Sequence, residues 1–80
     1  MNENWSNWCA EMEAKSDDEL YTAIKAMHSI LRGVRSTTAQ RMKLDRLWHI
    51  CVRRERQDLF MAARDASKAE YQAIQQGQPR

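Results

Sequence analysis

Cys9, His28, His49 and Cys51 are the residues of this 80-residue chain whose types suit metal or nucleophilic chemistry. Together they make a legal zinc set, since thiolate and imidazole are the usual ligands of a tetrahedral site. Their spacing argues against one. On a helix His49 and Cys51 stand ~200° apart and cannot grip one ion, and the chain has no CxxC or HxxxH pair. Cys9 with His28 or His49 is the thiol–imidazole pair to weigh as a nucleophile and base. Nothing nearby in sequence supplies a thiolate-stabilising environment or an oxyanion-hole loop. The acids Glu11, Glu13, Asp17, Asp18 and Glu19 read as solvated and helix-capping groups rather than as an acid–base pair. Glycine occurs only at Gly33 and Gly77, which leaves no phosphate-cradling loop. The expectation is a protein that is not an enzyme and uses no metal or cofactor.

The elements that carry these residues are helical. Helix formers and Met dominate, while β-branched residues, Gly and Pro are scarce. Eighty residues give one domain at most, with a core near the size limit for independent stability. The N-terminus has no basic region followed by an apolar stretch, and the longest apolar run, Leu47 to Val52, is short and contains His49. No membrane association is expected. Cys9 and Cys51 then read as reduced thiols of a cytoplasmic protein, each a small buried hydrophobe.

The boundaries are marked by capping chemistry. Trp5, Trp8, Cys9 and Met12 share one face of a first helix from about Asn4 to Lys15. Ser16-Asp17-Asp18-Glu19 is a capping box opening a second helix, whose buried line is Leu20, Ile24, Met27 and Leu31, with Ala23 and Ile30 flanking. That helix runs to Arg32. Gly33 is its left-handed terminator, and Val34 is expected to fold back as the apolar contact of a Schellman ending. Thr37 and Gln40 have capping-box spacing for a third helix. From there to Gln76 no Gly or Pro intervenes. The expected fold is therefore all-α, a small bundle of three helices in a single domain over 1–76, with 77–80 as a disordered tail. The third helix is long and either protrudes or forms a dimer. A break within Arg53-Arg54-Glu55-Arg56-Gln57-Asp58 is the alternative.

Charge supplies the functional reading. Residues 1–19 hold six acids and one base, whereas residues 20–80 hold twelve bases and five acids. Wound as one helix, the third element places Lys43, Arg46, Arg53, Arg54, Arg64 and Lys68 within ~50° of one line facing away from Trp48. Ile50 and Met61 fall inside this stripe, and Phe60 and Tyr71 lie along its edge. Apolar groups among arginines suit a recognition surface. The expected function is to bind and modulate a larger protein with an acidic surface, as an accessory inhibitor or adaptor of the kind phages and plasmids carry. The partner-binding set is Lys43, Arg46, Ile50, Arg53, Arg54, Phe60, Met61, Arg64 and Lys68. On this reading, reversing Arg53, Arg54 and Arg64 to Glu abolishes partner binding and spares the fold. The alternative is a nucleic-acid binder, with Arg32, Arg35 and Thr37 as a phosphate site at a helix start. If the third helix forms a dimer, the expected seam is Leu59, Ala62, Ala66 and Ala69, at alternating three and four spacing.

Overall fold

A computed structural model describes residues 3–77. It is all-helical over these residues, with four helices rather than three: α1 Glu3–Ala14, α2 Asp17–Leu31, α3 Thr38–Arg53 and α4 Gln57–Gly77. Residues 78–80 of the expected tail lie outside the described residues, and Gly77 is the last residue of α4.

Local chemistry sets the first boundaries as expected. Ser16 Oγ accepts from the Glu19 amide at 3.3 Å while Glu19 accepts from the Ser16 amide at 3.0 Å. These bonds hold the Glu19 carboxyl below its ordinary range. Thr37 and Gln40 exchange the same pair of bonds at 3.1 and 2.8 Å. Gly33 adopts φ 73. Arg32 ahead of it is extended, φ −67 and ψ 127, so Leu31–Val34 forms a type II turn closed by a long 3.5 Å bond. Val34 does not fold back; it is 60 % exposed. A Cβ at Gly33 would meet Tyr71 Oη at 3.0 Å, so glycine is required both for φ and for the approach of α4.

The expected long third helix is broken at Arg54-Glu55-Arg56. The Glu55 amide bonds the Val52 carbonyl at 3.0 Å and the Arg56 amide reaches the Cys51 carbonyl at 2.9 Å. That is the bond pattern of a Schellman motif, with Glu55 at φ 56 in the position usually held by glycine. The break falls within residues 53–58, the segment given as the alternative to one long helix, although the usual sequence signal of this motif, a Gly at the left-handed position, is absent and a Glu stands there.

After the break α4 folds back. Arg56 at its start pairs with Asp17 at the start of α2, Ser29 meets Ser67, and Gly33 beyond α2 meets Tyr71. So α2 and α4 run in the same direction in direct contact, and α3, which links them in the chain, runs the opposite way. Their interface is the most extensive in the molecule, and small side chains permit it: Ala63 is fully buried and Ser67 is 1 % exposed. Met12, Leu20, Ile24, Leu47, Ile50, Cys51 and Ala63 form the core, with Trp8, Tyr21, Ala23, Leu59 and Phe60 packed around it. Cys9 and Cys51 are free and buried, and burial pushes the Cys51 thiol up. The radius of gyration is 13.8 Å and the extents are 45 × 26 × 15 Å. A globular chain of this length would have a radius near 12 Å, so the molecule is an elongated slab with a thin core.

Candidate functional site

The break in the third helix divides the basic stripe, and its first half turns out to be the docking face for α1. Lys43 Nζ lies 5.4 Å from the Trp8 ring centroid. Arg46 shares a hollow with Trp5, Met42 and His49, and its Nε is buried with no hydrogen-bond partner among the described residues. Ile50 is 2 % exposed and sits beside Glu13, so it is a core residue rather than a surface anchor. Arg53 forms an ion pair with Glu13.

Arg54 is tied most firmly. Its guanidinium donates to Asp17 Oδ1 at 3.0 Å and to the carbonyls of Glu13 and Lys15 at 2.9 and 2.8 Å. It thereby satisfies acceptors that the end of α1 leaves open and joins the α1–α2 turn to the α3–α4 corner. Arg56 adds Asp17 Oδ2 and Asp58 at 3.0 Å each. Its hydrogen bond, together with the first amides of α4, holds the Asp58 carboxyl below its ordinary range. The acidic partner of Arg53 and Arg54 is therefore the chain's own N-terminal segment. Reversing Arg53, Arg54 and Arg64 together would break this clamp, contrary to the expectation that the fold is spared.

The residues read as a phosphate site are likewise occupied. Arg32 donates to Ser67 Oγ at 3.5 Å and to the Arg64 carbonyl at 3.1 Å. Thr37 Oγ1 is taken by the Gln40 amide, which leaves Arg35, exposed, as the remaining member. The seam residues do not share one environment. Leu59 packs on the protein's own core, Ala66 is half-buried, and Ala62 and Ala69 are exposed. The face of α4 turned inward runs through Phe60, Ala63, Ser67 and Tyr71, rotated one position from the expected seam.

What the fold does assemble is a groove of about 440 Å³ between α3 and α4. Arg41, Leu44, Asp45 and Trp48 line it at i, i+3, i+4 and i+7 on α3, and Phe60, Met61 and Arg64 line it from α4. Trp48 and Phe60 meet edge to face at 5.3 Å. Met61 is 39 % exposed, and among the described residues the polar contact of the Arg64 side chain is with its neighbour Asp65 at 3.4 Å. Leu44 also borders a second hollow, where Lys68 lies with His28, Arg32 and Tyr71. Of the expected partner-binding residues, Phe60, Met61 and Arg64 thus come together here with Lys68 next to them. Arg41 and Trp48 complete the groove and were missed, because α4 was not expected to fold back across them. The i, i+3, i+4, i+7 spacing of residues 41, 44, 45 and 48 was the available signal.

His28 holds the inner edge of this region. Its Nδ1–H donates to the Ile24 carbonyl at 3.0 Å, and its ring stands edge-on to Phe60 at 5.3 Å. Burial, with Arg32 and Arg64 close by, pushes its pKa below the ordinary 6.5. The folded state therefore keeps the ring neutral while the unfolded chain takes up the proton first. The contribution of His28 to stability is full above pH 6.5 and is lost as pH falls from there through the lowered value. Between about pH 7 and 5, chemical denaturation should show stability falling in the native chain and a flatter profile in His28→Gln. Glu19 and Asp58 titrate lower and act outside this window.

Among the described residues no three His, Cys, Asp or Glu side chains gather as a metal site, and no helix is long and apolar enough to cross a membrane. No protein-family model, curated protein or solved structure matches this chain.

Proposed function

We propose that this protein is a small non-enzymatic adaptor or inhibitor that holds an acidic, apolar-anchored segment of a larger protein in the α3–α4 groove. The observation that carries this reading is the groove's composition. An exposed Met61 and the Trp48–Phe60 pair share one depression with Arg41 and Arg64, and among the described residues neither arginine is engaged by an acid from another helix. Aromatic, Met and Arg side chains in one depression are the groups that dominate binding energy at protein interfaces. A volume of about 440 Å³ suits one or two anchoring side chains, with the arginines placed for carboxylates at the rim. Protein is favoured over nucleic acid because Arg32, Arg53, Arg54 and Arg56 are engaged within the molecule, which removes much of the field that a phosphate backbone would need. Free thiols at Cys9 and Cys51 suit a reducing cytoplasm, which is where this reading places the protein.

The test is a retained-fraction assay over an immobilised library of acidic peptides bearing single aromatic or leucine anchors. The native chain should retain a subset, and Arg41→Glu with Met61→Asp should weaken retention by about 100-fold, the effect of losing two interface anchors. Circular dichroism should be unchanged, since both side chains are exposed. Anisotropy of a labelled random duplex at low and moderate salt supplies the opposing arm. Tight, strongly salt-dependent binding there, with no peptide retained, would reject the protein-partner reading in favour of nucleic acid.

A further inference from the structure

We infer that the α3–α4 corner is a domain-swapping hinge and that a second copy of this chain is a partner of the fold, with α4 of each protomer packed on α2 and α3 of the other. The inference rests on a conflict between local and tertiary preference at one position. From Thr38 to Gln76 the chain has neither Gly nor Pro, so nothing in its local propensity stops one continuous helix. The bend nevertheless requires Glu55 at φ 56, a left-handed conformation that non-glycine residues occupy at a cost. The Glu55 side chain offsets none of it. It is exposed and makes no ion pair or side-chain hydrogen bond among the described residues.

What holds the corner closed is what α4 touches after the bend. Ser29 Oγ lies 3.0 Å from Ser67 Oγ, Lys25 pairs with Glu70, and Phe60 is seated against His28 and Trp48. Each of these contacts joins α4 to an element on the other side of the hinge. If α3 and α4 straighten into one helix, α4 can make each of them with a second copy instead. The exchange sacrifices the Schellman bonds and the Arg56–Asp17 pair, whose side chains are 44 % and 42 % exposed. It gains continuous helix and releases the Glu55 strain. Contacts equal in kind, with a hinge that prefers to open, are the conditions under which exchange of an element becomes a low-cost route to a twofold dimer. Concentration then decides which form is populated.

The short Ser29–Ser67 approach provides the readout. A Ser29→Cys, Ser67→Cys variant, refolded at micromolar and at millimolar concentration and then oxidised, should form an intramolecular disulfide in the dilute sample. In the concentrated one it should give a covalent dimer on a non-reducing gel. Glu55→Gly relaxes the closed hinge. It should weaken dimerisation about 5-fold per hinge and so about 25-fold per dimer, taking the left-handed penalty at its low end. Light scattering on the native chain and on Glu55→Gly measures this without engineered cysteines. A native chain that stays monomeric after millimolar refolding overturns the inference. So does a dimer whose disulfide is wholly intramolecular, or one that Glu55→Gly leaves unchanged.

Discussion

Replacing Arg54 with alanine is expected to lower the stability of this protein by about 2–3 kcal/mol, a large share of what a chain of this length has. The side chain is 26 % exposed and donates to three acceptors on the α1–α2 turn. Truncation leaves the Glu13 and Lys15 carbonyls and the Asp17 carboxylate without their donor in a partly enclosed corner. Thermal denaturation should show a midpoint lower by roughly 10–20 °C, from the usual 4–8 °C per kcal/mol for a domain this small. Lysine should not rescue it, because a single ammonium cannot serve acceptors spread across the guanidinium's fork. Arg53→Ala is the control. That side chain is 61 % exposed with Glu13 as its partner, and its loss should cost less than about 1 kcal/mol. If the two variants were equally stable, Arg54 would be one more surface charge and the corner clamp would not exist.

This pair of arginines also marks how far the sequence is readable. Features decided within four residues were legible. The boxes at Ser16–Glu19 and Thr37–Gln40 and the left-handed Gly33 follow from side chains reaching their own backbone, and the structure has all three. The charge asymmetry was legible as well, but its meaning was not. An acidic first segment and a basic third helix looked like a surface awaiting a partner, whereas Glu13 and Asp17 show the two meeting within one chain. The reason is physical. Helical periodicity reports which side chains share a face, and says nothing about which other element covers that face. Ile50 illustrates the point. It shares a helix face with Lys43, Arg46 and Arg53, as the periodicity implies, and it is buried because α1 packs beside it at Glu13, while Arg53 further along stays exposed. The groove was hidden for a related cause, since Arg41 and Arg64 become neighbours of the same depression only after the turn at Glu55.

The turn at Glu55 also fixes which alanines matter, and leucine substitutions at two adjacent ones should separate the alternatives. Ala63 is fully buried and belongs to the core cluster, beside the α2–α4 contact made by Ser67. Three added carbons there have no room, so Ala63→Leu should force α4 away from α2 and cost about 1–3 kcal/mol. Ala62 lies ~100° around the same helix and is exposed, so Ala62→Leu should change stability by no more than about 0.5 kcal/mol. Urea unfolding of both variants tests the ordering. The seam drawn through Leu59, Ala62, Ala66 and Ala69 makes the opposite demand: a leucine at Ala62 would wedge two long helices apart while Ala63 tolerated one. Tyr71 extends the argument to the far end of α4. Its hydroxyl reaches within 3.0 Å of where a Gly33 Cβ would stand, a fit that requires Ala63 and Ser67 to let the two helices approach first. Ala63→Leu should therefore also raise tyrosine exposure and loosen the hollow around His28 and Lys68, so that a packing change at Ala63 is felt about two turns along the same face of α4, at the hollow that borders the groove through Leu44.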